Sequence, residues 1–514
     1  MNRRQLIRGS LAAGVAAATR ARAAGPTQEK FRDDPFTLGI ASGYPTPNGI
    51  VLWTRLAPQP LAPLGGLTAP FVPVEWVLAT DERLEKVVRS GTAYATPDWA
   101  YSVHVELTRL DPDRNYWYRF TAGGVQSPIG RTRTAPAAGA PLDRLRFAVA
   151  SCQQYEHGYY GAYRHMLADD LDFLVHVGDY IYEESWGVPP LVRQHPQREV
   201  YTLDDYRTQY ALYKQDPDLR AAHAAFPWFV TWDDHEVEND YAGDNSVNGD
   251  DPAWFRERRA AAYRAYYEHL PLPRSAVPFG ASMQLYTGAA FGDLANLTLL
   301  DTRQYRSARL CPPPPGGRKE PMKCPALESD PGSMLGARQE AWLDNRLANG
   351  RAKWNLLAQG VVMSHIDEQA GPGRRYWTDS WNGYPASRQR LLDALARHGT
   401  PNPVVLSGDI HTFFVGGINT RPDDLSTKTA ATEFVTTSIS SQGLAESRVE
   451  AMKQENANLL FGSSAYRGYL RLKLTPERLA TDLVAMERTD TPDTPRKVLA
   501  SFVVEDGVAG PVKA

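Results

Sequence analysis

Apolar and polar positions alternate over short stretches early in the chain. Between residues 34 and 136 the runs GIVLWTRL, VPVEWVLA, YSVHVELTRL and NYWYRFTAG recur with turn residues between them. In the last run Tyr116, Tyr118 and Phe120 share one face at the two-residue period of a strand. No helical period interrupts the series. Regular strand spacing of this kind predicts a β-sandwich over residues 34–136, of about seven strands and fibronectin-III-like (Fn3-like) type. The stretch RTRTAPAAGAPLD, rich in Pro, Ala and Gly, reads as the linker that ends it.

From residue 143 to about residue 507 the pattern changes. Apolar runs now alternate with segments of helical spacing: GAYRHMLADD, AWFRERRAAAYRAYYEHL, and GARQEAWLDNRLANG with Gly350 as its stop. Such alternation predicts an α/β domain. Near the end, GYLRLKL and ATDLVAM read as two strands, preceded by the amphipathic stretch RVEAMKQENANLLF. Whether this C-terminal region caps a site is open at the level of sequence.

Four apolar runs of the second region end in residues that bind metals. RFAVASC ends at Cys152, and DFLVHVGD ends at Asp179 with Tyr182 just beyond. FPWFVTWDDHEVEND ends in Asp233, Asp234 and His235, with Asn239 close by, and NPVVLSGDIH ends at Asp409 and His411. Ligands of α/β sheets gather at the carboxyl ends of strands. A strand exit is also the most rigid place from which to aim a short side chain. Adjacent strands would therefore bring the four exits into one site. Carboxylates such as Asp179 can bridge two cations. A thiolate (Cys152) and a phenolate (Tyr182) suit a strongly Lewis-acidic ion such as ferric iron, His411 suits iron, zinc or manganese, and the neutral oxygen of Asn239 is compatible with calcium. Two cations roughly 3.5–4 Å apart are the arrangement for in-line displacement at phosphorus. Each motif has a plainer reading alone: a Gly-Asp pair after a strand is common, and WDDHEVEND could be a structural calcium loop. The set carries the inference.

Composition narrows the class further. The 514 residues are 42% hydrophobic and 22% charged, with a formal charge of −3, which leaves no nucleic-acid footprint and no polybasic membrane patch. Residues 1–23 look removable. The pair Arg3 and Arg4 precedes a weakly apolar run from Gly9 to Thr19 and an A-x-A site, Ala21-Arg22-Ala23. This is the pattern of a signal peptide, of twin-arginine type. It would send the protein through the twin-arginine export machinery to the periplasm or the medium, without a transmembrane segment. These residues hold five arginines and no acid, so the remainder carries 51 basic against 59 acidic side chains. Of three cysteines, Cys311 and Cys324 bracket a Pro/Gly-rich loop and suit one disulfide in an oxidising compartment. Cys152 is left over.

Taken together, ASGYPTPNGIVLWTRLAP, ASCQ, GDYIYE, WDDHEVEND, LLDTRQYR, QGVVMS and LSGDIHTF resemble the PhoD-like alkaline phosphatase/phosphodiesterase family, within the calcineurin-like metallophosphoesterase superfamily. The resemblance runs from about residue 34 to the end. It implies an α+β to α/β chain, with an Fn3-like β-sandwich followed by a metallophosphoesterase αββα sandwich. It also implies a ferric ion (Fe3+) and one or more calcium ions (Ca2+). By motif, Cys152 and Tyr182 would ligate iron, Asp179 would bridge, Asn239 would ligate calcium, and Asp409 and His411 would complete the site, with their ions unassigned. Asp234 and His235 would bind or orient the phosphate. Arg303 and Arg306 either face that phosphate or form a surface ion pair. Asn382 stands where the family commonly has an aspartate, which would weaken any electrostatic role of that acid. His365 reads as a supporting or core histidine. The implied reaction is hydrolysis of phosphomonoesters and phosphodiesters by direct attack of a metal-bound hydroxide, with an alkaline optimum and no phosphoenzyme. The alternatives are a phospholipase-D-like or purple-acid-phosphatase-like enzyme, and an envelope-binding protein with a structural calcium site.

Overall fold

A computed structural model describes residues 30–187, 189, 191–311 and 323–514. The expected signal segment, residues 1–23, lies outside the described residues. Three sheets organise the rest. The largest has ten strands. At its centre Leu145–Ala150, Phe173–His176 and Trp228–Val230 run parallel, side by side. A seven-stranded sheet carries a second parallel set, Ala295–Leu299, Trp354–Ala358, Pro403–Ser407 and Thr429–Val435.

The two large sheets pack face to face. Phe173 of the first stacks on Phe291 of the second at 4.7 Å and on Phe147 at 5.0 Å. Leu297, Leu299, Leu356, Val404 and Leu406 face the same core. Alternate positions point the other way: Leu357 and Val405 meet Leu343, Leu347, Leu391, Leu392 and Leu395 of the helices Gly336–Asn349 and Pro385–Arg397. Beyond the ten-stranded sheet, Tyr163 and His223 of the helices Gly161–Leu167 and Pro217–Ala225 pack on Trp228, the latter ring stacked at 3.8 Å. The layers are thus helix, sheet, sheet, helix. Burial on both faces explains why the central strands read as continuous apolar runs.

The N-terminal strands do not all stay within the β-sandwich of about seven strands expected over residues 34–136. Tyr116, Tyr118 and Phe120 do share the buried face, packed against Val72, Val74 and Leu78. There are eight strands in this stretch, and three of them, Ile40–Thr46, Gly49–Arg55 and Ser102–Leu107, extend the ten-stranded sheet. The join is made at Gly43, which pairs in parallel with Trp228. A Cβ at Gly43 would lie 2.6 Å from the Pro271 carbonyl oxygen and 2.8 Å from that of Trp228. Only glycine admits this approach.

Three helices announce themselves by their caps, and the periodicity marked only Pro252–His269 of them. Leu203–Lys214 begins with a reciprocal capping box between Thr202 and Asp205. Pro217–Ala225 and Pro252–His269 begin with Asp-Pro, the aspartate accepting from the first backbone N–H groups. At the C-terminus, Arg467–Leu474 and Arg478–Met486 pair antiparallel and widen the ten-stranded sheet instead of covering it. Cys311 and Cys324 are disulfide-bonded, and Cys152 is free and buried. Among the described residues, no helix is long and apolar enough to cross a membrane.

Candidate active site

The parallel strands of both sheets deliver their carboxyl ends to one cavity of about 330 Å³, whose wall includes Asp179, Asp234, His235, Asn239, Asp409 and His411. Backbone bonds tie the exits together. Cys152 N–H donates to the Gly178 carbonyl at 3.1 Å, Gln153 N–H to Asp179 at 3.1 Å, and Gly408 N–H to Gly360 at 2.7 Å. Gly178 turns at φ 114°, and a Cβ there would strike Asp233 at 2.5 Å. Cys152, Asp179, Asp409 and His411 all hold left-handed backbone, with φ of 59°, 56°, 68° and 53°. Each such non-glycine residue costs on the order of 1–3 kcal/mol and persists only where its surroundings over-determine it. Strain at four of the six residues expected to bind metal points to a built site.

Donor atoms converge in overlapping groups. Those of Cys152, Asp179 and His411 lie within 4.8 Å of one another, as do those of Asp179, Asp234 and His235, and those of Asp233, Asp234 and Asp409. Asp179 and Asp234 each belong to two of these groups. Tyr182 joins the first, its Oη 3.0 Å from Asp179 Oδ2 and 2.9 Å from His411 Nε2. His411 Nδ1 lies 2.6 Å from the Gln442 carbonyl oxygen. A proton on Nδ1 is donated there, which leaves the Nε2 lone pair facing Asp179 and Tyr182.

The electrostatics fit a site made for cations. Burial, then the charges of Asp233 and Asp234, push Asp179 and Asp409 well above the usual carboxylate range. Burial carries Asp233 to about 7. Cys152 and Tyr182 are raised by burial and then by the charge of Asp179. Asp179 Oδ1 and Asp233 Oδ2 are buried without a protein hydrogen-bond partner. This much negative charge in a low-dielectric pocket is costly alone and favourable around divalent or trivalent ions. The residues present therefore fit a metal centre.

Several expectations change in detail. Arg303 does not line the cavity. It is fully buried, with Nε 2.6 Å from Asp233 and its other nitrogens 2.9 and 2.7 Å from Asp379. Arg306 is likewise buried, 2.8 Å from Asp379, so neither arginine faces substrate and neither forms a surface pair. Three arginines, with Arg309, outweigh the effect of burial and hold Asp379 down at about 2. Asn382 accepts from Arg388 at 2.9 Å and donates to the Ile366 carbonyl, so it lies outside the charge cluster. His365 packs edge-on to Tyr376 and does not line the cavity.

Other residues escaped notice. Glu236 accepts from the backbone N–H of Tyr180 (2.7 Å) and of Asp233 (2.9 Å), lacing two exits together. Glu183 accepts from His235 Nδ1 and from Asn239 N–H, both at 2.7 Å. That charge outweighs burial and keeps His235 protonated well above the ordinary histidine range. Both glutamates sit inside quoted motifs, but only the folded distances separate them from solvated acids. Ser441 donates to Tyr182 Oη at 2.7 Å from a segment with no motif of its own.

Comparison with known proteins identifies a family for the chain. Residues 147–483 match the family model described as PhoD-like phosphatase, and residues 19–136 match that of the PhoD-like phosphatase N-terminal domain. The chain is 44% identical over 489 residues to alkaline phosphatase D of Bacillus subtilis (strain 168), covering 93% of this chain and 82% of that protein. A solved structure described as that of PhoD superposes with a TM-score of 0.90 at 43% identity, covering 95% of this chain and 93% of that one.

Proposed function

Because the chain belongs to the PhoD-like phosphatase family, we propose that it is a metal-dependent phosphoesterase that hydrolyses phosphomonoesters and phosphodiesters at alkaline pH. The observation that carries this reading is the position of Asp179, one carboxylate shared between two groups of donor atoms. The helix–sheet–sheet–helix layering supports a metallophosphoesterase αββα sandwich, and the N-terminal strands support an Fn3-like unit that is fused to it through a common sheet.

Ligand types and grouping support a division of labour. Cys152, Tyr182 and His411 would hold a ferric ion, since thiolate, phenolate and imidazole gather there. Asp234 and Asp409, with Asn239 nearby, would hold calcium through oxygen alone. Asp179 would serve both. Bound metal ions supply a Lewis acid for the phosphoryl oxygen and a lowered pKa for water. The chain supplies the rest. His235, oriented by Glu183, is placed to donate from Nε2 to an ester oxygen. Arg303 is a positioning residue that holds Asp233 and Asp379 in register. The buried exits keep bulk water out of the pocket.

Folded export by a twin-arginine route would allow the centre to be filled before the protein leaves the cell. The Cys311–Cys324 disulfide suits a periplasmic or secreted destination.

The test is turnover of p-nitrophenyl phosphate and bis-p-nitrophenyl phosphate by the exported protein, with metal analysis and a visible spectrum on the same sample. Turnover that is lost on chelation and restored by iron with calcium is expected. A fully metallated protein without turnover would overturn the proposal.

A further inference from the structure

The cavity that holds the donor groups is acidic. Asp179, Asp234, Asp240, Glu368 and Asp409 all reach its wall. Among the described residues that line it, Arg448 is the only arginine or lysine. Arg303 is closed off behind Asp233 and Asp379, and Arg309, buried on Asp240 at 3.1 Å and Asp379 at 3.2 Å, does not line the cavity. An anionic ester entering the cavity therefore meets one guanidinium.

Arg448 sits in the first turn of the helix Glu446–Glu455, and its Nε lies 2.6 Å from Glu368 Oε2. The two partners are unequal. The Glu368 side chain is 6% exposed, and that of Arg448 is 37% exposed. Glu368 is thus buried in the wall, while Arg448, which also brings Nη2 to Glu368 Oε2 at 2.5 Å, keeps about a third of its side chain in solvent. Their segments are also tied together by Asp367 and Asn456, which exchange two 2.8 Å hydrogen bonds, so Glu368 and Arg448 face each other across a fixed rim. A guanidinium pairs bidentately with carboxylate or with phosphate oxygens, so the same group can exchange one for the other.

We infer that Arg448 is a specificity-determining residue that leaves Glu368 to grip the outward oxygens of the bound phosphate ester. Glu368 is its parking partner, holding the guanidinium at the rim between turnovers. This rests on the phosphoesterase reading of the site. It predicts opposite signs for the two partners. Removing Arg448 removes a substrate contact. Removing the charge of Glu368 removes a competitor for that contact.

The experiment compares R448A, R448K and E368Q with the native, metal-loaded enzyme. The readouts are kcat and KM for p-nitrophenyl phosphate, the Kd of the non-hydrolysable phenylphosphonate by titration calorimetry, and the thermal midpoint. R448A is expected to raise KM and Kd about tenfold, the loss of one charge-assisted contact, with kcat little changed. R448K should fall between. E368Q should lower both constants. If R448A and E368Q raise KM equally and lower the thermal midpoint together, the pair is a structural clip and the inference fails. It also fails if R448A binds phenylphosphonate as tightly as the native enzyme. A native enzyme without turnover would instead overturn the phosphoesterase reading, a result these binding measurements distinguish.

Discussion

Arg303 donates its Nε hydrogen to Asp233 at 2.6 Å, and solvent reaches neither side chain. Removing one partner of a buried pair leaves the other as an uncompensated charge, at a cost of about 3–5 kcal/mol. R303M should therefore lower the urea midpoint by a corresponding amount and weaken metal retention. R303K keeps the charge but loses the fork, and should be intermediate. A stable, fully metallated R303M would show that Asp233 does not depend on this contact.

Asp179 lies in two of the donor groups, one with Cys152 and His411 and one with Asp234 and His235. D179A should lose turnover by on the order of a thousandfold or more, with metal content reduced and circular dichroism unchanged. Substantial residual activity in that variant would remove the basis for a shared ligand.

Tyr182 Oη approaches His411 Nε2 at 2.9 Å. In the iron-containing protein it should give a broad visible band from tyrosinate-to-iron charge transfer, and Y182F should be colourless at equal iron content. A band that survives in Y182F would place the phenolate elsewhere.

Lys214 is buried between Trp53, whose ring lies 4.3 Å from its Nζ, and Tyr180. Burial lowers its pKa from 10.5 to about 7. Between those values the unfolded chain binds the proton and the folded chain does not, so this group's contribution to stability rises as pH increases from 7 to 10.5. Below pH 7 the full cost of the buried charge is present. K214M should be more stable than native at pH 7, and the gap should narrow toward pH 10. The check is a pair of denaturation series across that range, and a gap that is constant with pH would contradict it.

Asn382 is satisfied by Arg388 and by the Ile366 carbonyl. N382D would set a carboxylate oxygen against that carbonyl. It should not raise kcat/KM and should lower the thermal midpoint. A tenfold gain in kcat/KM would restore the view that this position tunes the centre.

Much of the site is legible because its signals are local. A parallel strand buried on both faces must be a continuous apolar run, and its exit must be short and polar if it is to carry a ligand. Cys152, Asp179, Asp234, Asp409 and His411 announce themselves in that way. The helices Leu203–Lys214 and Pro217–Ala225, which the periodicity left unmarked, were also legible, through the Thr202–Asp205 capping box and Asp216-Pro217, which are start signals rather than periods.

By itself, the sequence determined where strands end, which of their exits carry metal-binding chemistry, and that Cys311 and Cys324 suit a disulfide. Tertiary structure alone decided that the N-terminal strands join the large sheet at Gly43, that Arg303 pairs with Asp233 and Asp379, and that Arg448 stands at the rim. The reason is physical. Periodicity and capping act within a few residues, whereas an arginine's partner depends on which strands become neighbours, and burial then decides whether its charge faces solvent, substrate or another side chain.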